Sequence, residues 1–446
     1  MKHARVSSQR RIGQVLAMLL AVLAVAPVLY AQSPGNNAVY NGSSITWSKS
    51  FLDAYGASLT TSGDFCAKLG AALGTLGTGT AGTVVDARGM SVTAGCATDP
   101  FTHLTSGLSV RVLLPAGTLS MTHSWAIPDQ SQIVGEGPAR TILQASTSGF
   151  TDPYASSDTA ILHMGKPSIG GSGGGIVFEV RIEHLTLDGQ GQSLDGIDNQ
   201  NAEELSYVDD VAINNVDGNG LFLGVDPEGK SNGVASHSGP YTNITFQTSS
   251  ATSSTACINV QFSEPRALYG VTCIGNASSN GAILVDGGSV AVEDVRIDGF
   301  QDGIRIGSQT GGSDSGQTDL FMNITGTTTV NSTATANLIH IYSGSTGNIT
   351  IAGVTSAGNN SILDSLTGAT LTDAHIGTYI VGQAVSGGYS RFTTSPALPT
   401  WAVGSSAPSG TCTSNGSLFS NTGGGSGTTL YACANNGTST TWTAVK

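Results

Sequence analysis

Residues 292–307 read VEDVRIDGFQDGIRIG. Apolar and polar residues alternate in two short runs around two Asp-Gly pairs. Alternation with period two is the mark of a strand with one buried face, and Asp-Gly is turn chemistry. The line is one instance of a recurring unit. Aligned on a central apolar residue, the related segments are RIEHLTLDG (Leu187), YVDDVAINN (Ile213), YTNITFQT (Phe246), YGVTCIG (Cys273), VEDVRIDG (Ile297), LFMNITG (Ile324), GNITIAG (Ile351) and TDAHIGT (Ile376). Their anchors are 26, 33, 27, 24, 27, 27 and 25 residues apart. A second apolar run follows most of them: GIDNQ after Asp195, GLFLG after Asn219, ACINV from Ala256, GAILV after Asn280, GIRIG after Asp302 and LIHIY from Leu338.

A near-constant period holding several short strands predicts a β-solenoid, in which strands of three to five residues stack on their equivalents one coil away. Helical repeats are excluded, because no apolar spacing of three and four persists inside a unit. Asp195, Asn219, Asn280 and Asp302 each precede a Gly five to eight residues after an anchor. They are expected to mark one recurring corner, since Asn, Asp and Gly tolerate left-handed backbone angles. On this reading Asp302 is a turn-maker.

Composition supports the all-β reading. The 446 residues include 61 Gly, and charged residues make up only 11%, which suits short strands and many turns better than helices. The formal charge is −13. Few basic residues on an acidic chain argue against nucleic acid or anionic lipid as partner.

Lys2, Arg5, Arg10 and Arg11 precede an uncharged run over 15–29, and Leu29-Tyr30-Ala31 offers a small residue for cleavage. The run is short for a membrane span and lacks a basic flank after it, so 1–31 reads as a secretory signal peptide. Its removal takes the formal charge from −13 to −17. No later stretch is long and apolar enough to span a bilayer. The expected product is secreted, extracellular or periplasmic. In an oxidising compartment the six cysteines read as disulfides, and by chain proximity as Cys66–Cys96, Cys257–Cys273 and Cys412–Cys433, although six cysteines permit 15 pairings.

The segments GTVVDARG (82–89), VRVLLPAGTLSM (110–121), IPDQSQIVGEGPARTILQA (127–145) and IEHLTLDGQG (182–191) together resemble the start of the pectate-lyase-superfamily parallel β-helices, of the pectate lyase 3-like and rhamnogalacturonase/epimerase-like kind. The resemblance covers about residues 60–385. It implies a right-handed parallel β-helix of about ten coils, with a capping helix near 64–73 pinned by Cys66–Cys96. The family holds lyases, hydrolases, epimerases, viral tailspikes and proteins without a known reaction, so it implies fold more than activity. The expected organisation is a signal peptide (1–31), an N-terminal region and cap (32–100), the β-helix (101–390), a Pro/Ser/Gly linker (391–410) and a small disulfide-stapled β module (411–446). In that module Trp442 and the tyrosine are expected to pack a small core.

In such a coil stack, outward residues form columns about 4.8 Å apart. The column three before the anchors reads His184, Asp210, Asn243, Gly270, Asp294, Phe321, Asn348, Asp373; the column one after begins Asp188, Asn214, Gln247, Ile274, Asp298. Glu183 and Asp209 stand beside the first pair. His184, Asp188, Asp210, Asp209 and Glu183 are therefore the candidate catalytic residues, with His184 and Asp210 expected within hydrogen-bond reach. Backbone geometry puts Asp188 roughly 14 Å from Asp210, too far for a carboxylate pair unless both side chains lean together. Glu203 and Glu204 lie in the turn feeding this region, and Asp294 and Arg296 are expected to form a surface ion pair.

The polygalacturonase-like set of Asn-x-Asp, Asp-Asp, Gly-His-Gly and Arg-x-Lys is not present as a set: Asp209-Asp210 matches one element, SHSG (236–239) lacks the leading Gly, and IRIG (304–307) has no Lys. The expected function is a secreted carbohydrate-active protein, a polysaccharide lyase or glycoside hydrolase working along the β-helix face. The competing reading is a non-catalytic glycan-binding or surface/matrix protein, and the leader disfavours a tailspike. No cofactor motif is evident; a lyase would call for a cation, often Ca²⁺ held by carboxylates. Polysaccharide is the expected partner.

Overall fold

The computed structural model describes residues 62–77, 82–154, 159–166, 175–224, 238–249, 255–263, 267–276 and 281–307, with shorter pieces among 38–55, 321–392 and 401–445. The expected leader, Asn280 and Asp373 lie outside the described residues.

The chain is all-β, built of long parallel sheets in a pattern consistent with a parallel β-helix. It visits three walls in a fixed order. The first wall stacks Val110–Leu113, Gln132–Val134, the start of Arg181–Gln192, the start of Tyr207–Val216 and the start of Tyr241–Gln247 in parallel. The second stacks Gly117–Met121, Thr141–Ala145 and the later parts of the same three strands. The third runs Trp125–Ile127, Ala160–Met164, Asp195–Asn199, Asn219–Leu223, Ala256–Ser263, Gly281–Glu293 and Asp302–Ile306. Ile213, Phe246, Cys273 and Ile297 all lie fully buried in one core cluster, as their shared period requires.

The first parallel strand is Phe51–Asp53, paired with Thr83–Asp86, so the stack begins before the expected boundary at 101. Asp64 caps the helix Phe65–Gly74 by accepting the Ala67 N–H. Phe65, Cys66, Leu69 and Leu73 of that helix are buried in the main core. At the far end, Ile376–Val385 pairs antiparallel with Asn348–Val354, and Gly388–Phe392 pairs antiparallel with Ile376–Val385.

The corner residues need a correction. Asp195, Asn219 and Asp302 are not left-handed. They open third-wall strands, and their side chains bond to neighbouring strands: Asn219 donates through N and Nδ2 to Asp195, and His340 Nδ1 lies 3.1 Å from Asp302 Oδ2. The Gly after Asp195 and the Gly after Asn219 have a different cause from turn geometry. A Cβ on Gly196 would sit 2.6 Å from Ile213 Cγ2, and one on Gly220 would sit 2.4 Å from Phe246 Cδ2. These glycines face the bulky anchors across the corner between second and third walls. Cys257 holds the same position one coil later, which brings it to Cys273 with Cα atoms 5.7 Å apart. The two side chains come from different walls and meet inside. Cys66–Cys96 and Cys412–Cys433 also form, at 4.9 and 5.8 Å.

Left-handed angles occur instead in a column of His184, Asp210, Asn243, Gly270 and Asp294, with φ between 51° and 66°. It lies at the corner between first and second walls. In each early coil two outward residues stand in succession, as Glu183 and His184 do between the buried Ile182 and Leu185. One left-handed residue then turns the strand toward the core. The column ends sooner than the anchor spacing implied: Ile324 pairs with Val292 on the first wall, not with Ile297 on the second. A period of two identifies the inward residues but not the wall they line.

A separate four-stranded sheet comprises Trp401–Gly404, Leu418–Asn421, Leu430–Asn435 and Thr440–Ala444. Its first strand falls inside the expected linker, where WAV is hidden among Pro, Ser and Gly. Phe419 and Trp442 pack edge to face at 5.9 Å. No helix among the described residues is long and apolar enough to cross a membrane.

Candidate functional site

Parallel register places Glu183 beside Asp209, and therefore His184 beside Asp210. His184 Nδ1 lies 2.8 Å from Asp210 Oδ2, and both side chains are 44% exposed. Their left-handed backbone lifts them onto the ridge between two walls. With Nδ1 committed to the carboxylate, Nε2 is the ring atom that faces incoming molecules.

The other three candidates are more tightly held. Glu183 accepts the Tyr207 hydroxyl at 2.5 Å and lies 3.6 Å from Arg111 Nη2. Burial, then the bond to Glu183, pushes the Tyr207 phenol up to about 12. The Arg181 guanidinium covers the Tyr207 ring at 5.1 Å. Asp209 accepts from Thr242 Oγ1 and from Asn243 Nδ2.

Asp188 lies on the second wall, beyond the ridge. It accepts Gln144 Nε2 at 3.0 Å, Gln190 Nε2 at 2.6 Å, Asn215 Nδ2 at 3.2 Å and the Gln190 N–H at 3.1 Å. Burial raises its pKa, but these donors outweigh burial and hold the carboxyl below its usual range. The structure thus joins His184 to Asp210, sets Glu183 and Asp209 beside them, and leaves Asp188 on another face. Two successive outward residues bend the chain toward its interior, so the outer faces of the two walls diverge from the ridge.

Glu203 is buried and Glu204 exposed. Among the ion pairs of the described residues there is none between Asp294 and Arg296: left-handed Asp294 breaks the alternation that would have aligned them. Among the described residues no three His, Cys, Asp or Glu side chains converge as a metal-ligand set.

Several neighbours escaped the sequence reading. Arg111, Arg181 and Tyr207 enter the site from first-wall strands, and Tyr269, 48% exposed, continues the column of Glu183, Asp209 and Thr242. A separate cavity of about 220 Å³ is lined by Phe101, Leu108, Pro128, Asp129, Lys166 and Val177, among others, and none of the five candidates borders it. A fully buried cluster around His163 was also missed. Its one sequence signal is a histidine inside the otherwise apolar strand Ala160–Met164 (AILHM).

No family model matches the chain, and no curated protein matches it. Among solved structures it is similar to ORF18 of Geobacillus virus E2, at 13% identity over 93% of each chain with a TM-score of 0.30. It is also similar to the N-terminal fragment of bacteriophage Phi29 gene product 12, at 13% identity over 65% of this chain and 73% of that one, with a TM-score of 0.23. Likenesses at these scores carry no argument about function.

Proposed function

We propose that this chain is a secreted polysaccharide lyase on a right-handed parallel β-helix of about ten coils resembling the pectate lyase superfamily, its N-terminal end closed by the helix Phe65–Gly74. The observation that carries the reading is the half-exposed His184–Asp210 pair at 2.8 Å. Asp210 orients the ring and holds the proton on Nδ1, and His184 Nε2 takes a proton from substrate.

Elimination fits this site better than hydrolysis, because hydrolysis wants two free carboxyls facing one glycosidic bond. Asp188 is saturated by donors and lies across the ridge, while Glu183 and Asp209 are engaged by Tyr207, Thr242 and Asn243. In elimination, Nε2 removes the proton on the carbon next to a uronate carboxylate. The electron pair forms a C=C bond, the C–O bond to the next sugar breaks, and that oxygen leaves with a proton from solvent. Arg111 and Arg181, on the same wall, supply positive charge for the substrate carboxylate. The described carboxylates do not form a calcium set, so no step is routed through that ion.

The competing reading is a non-catalytic glycan-binding or matrix protein. It is favoured by the continuation of the His184 and Asp210 column into Asn243, Gly270 and Asp294, a ladder that needs only left-handed tolerance. A panel of acidic and neutral polysaccharides, with and without Ca²⁺, separates the two. Unsaturated uronate ends are the expected product; new reducing ends without unsaturation would indicate hydrolysis, and binding without cleavage the matrix role.

A further inference from the structure

We propose that His163 is an imidazolium, charged at neutral pH, that clamps the segment 146–154 onto the third wall, so that the segment is held at neutral pH and released in alkali. His163 alternates with the inward Leu162 and Met164, so its ring stands on the outer face of the wall, yet it is 0% exposed. Asp152 and Tyr154 of the segment lie over it. Nε2 is 2.8 Å from Asp152 Oδ2, and Nδ1 is 3.0 Å from Asp198 Oδ2 on the next third-wall strand. A neutral imidazole has a single N–H and can satisfy one carboxylate. The imidazolium donates to both at once, and two carboxylates this deeply buried favour the form of the ring that does so.

The clamp reaches further along the chain. Asp152 also accepts the Ala160 and Tyr154 N–H groups. The Tyr154 ring meets the His163 ring edge-on at 5.8 Å, and its hydroxyl donates to Asp99 Oδ2 at 2.7 Å. Asp99 in turn accepts the N–H of Ala126 and that of Phe101 in the 3-10 turn Pro100–His103. One buried polar chain therefore ties the 3-10 turn, the segment 146–154 and two third-wall strands together. The charged groups facing His163 are Asp152 and Asp198; around Tyr154 stand Asp99, His123 at 6.3 Å and Lys166, whose Nζ is 5.8 Å from the ring centre.

The direction of the pH effect follows from linkage. Burial lowers the His163 pKa, but its bonds to Asp152 and Asp198 outweigh burial and hold it at about 10. A basic group raised from 6.5 stabilises fully below 6.5, and that contribution is lost as pH rises through about 10. For Asp152, burial raises the pKa but the histidine bonds lower it further, so its contribution is present above 3.8 and is lost only in stronger acid.

Imidazole ¹⁵N–¹H correlation spectra of the intact protein test the charge without a variant. The expected result is one histidine with both ring nitrogens protonated at about pH 8, where unperturbed histidines are neutral; its signal moves in Asp152→Asn. If every histidine is neutral there, or the charged one ignores Asp152→Asn, the proposal fails. Limited chymotrypsin digestion tests the clamp. Cleavage after Phe150 or Tyr154, normalised to a free peptide of the same sequence, should rise at least about tenfold between about pH 8 and about pH 10. An unchanged ratio would overturn the release.

Discussion

Gly220 faces the ring of Phe246 across the corner between two walls, with room for no more than a hydrogen: a Cβ would lie 2.4 Å from Cδ2 and 2.6 Å from the Cys257 carbonyl oxygen. Gly220→Ala should therefore destabilise by about 1–3 kcal/mol, as overpacking does in a closed core. Gly196→Ala, which meets Ile213 and the Gly220 carbonyl, should behave alike. Gly77→Ala is the control, since nothing lies within 4 Å of its Cβ position. Urea denaturation of the three variants would show it; equal midpoints would mean that the corner yields.

This pair also shows how far the sequence could be read. The anchors Ile213, Phe246 and Ile297 were legible because burial on every coil leaves a fixed period. The Gly beside each Asp or Asn was legible as a recurring position, but the cause at Gly196 and Gly220 was not, since lack of space and left-handed angles leave the same letter. The reverse held for His184 and Asp210. Their adjacency followed from register, but nothing local marked them as the bend: His and Asp tolerate left-handed angles, yet they stand as readily in an ordinary exposed strand position, and no Gly follows either of them. His163 was hidden for a third reason: its two carboxylates come from 11 and 35 residues away, and no short motif spans that distance.

Asp188 gives an acid-side prediction. Asp188→Asn replaces one acceptor oxygen by an amide that faces the Nε2 groups of Gln144 and Gln190, or turns it toward Asn215. The loss should be about 1 kcal/mol near neutral pH. A carboxylate held below 3.8 stabilises above that value and loses its contribution as pH falls through the folded pKa. The gap between wild type and variant, read from urea midpoints at about pH 7 and in strong acid, should close on the acid side. A gap independent of pH would mean that the carboxylate charge is not what the donors hold.

Tyr241 gives the alkaline counterpart. Its hydroxyl donates to Ser238 Oγ at 2.7 Å and accepts from Asn199 Nδ2 at 2.8 Å, all three residues being fully buried. Burial pushes the phenol up to about 12. An acid raised from 10.0 stabilises below that value and loses its contribution as pH climbs toward 12. Tyr241→Phe should cost about 1–3 kcal/mol near neutral pH, because Ser238 and Asn199 lose a partner. Its midpoint should then fall less steeply than that of wild type above pH 10. Parallel curves would assign the alkaline loss to other groups.

The catalytic reading separates three variants on whichever uronate polymer is cleaved. His184→Gln removes the proposed proton acceptor and should lower kcat by roughly 10²–10⁴-fold. Asp210→Asn leaves the ring in place but removes the charge that fixes its tautomer, so kcat should fall with KM unchanged, and by less. Asp188→Asn acts on the far side of the ridge, through bonds that do not reach His184, and should leave kcat/KM within about twofold. Binding of the polymer, measured separately, should survive in His184→Gln, because Arg111, Arg181, Tyr207 and Tyr269 remain to hold it. If Asp188→Asn abolishes turnover while His184→Gln keeps it, the reaction centre lies on the second wall and the ridge pair is structural. If all three variants cleave as wild type does, the chemistry belongs to another part of the coil stack.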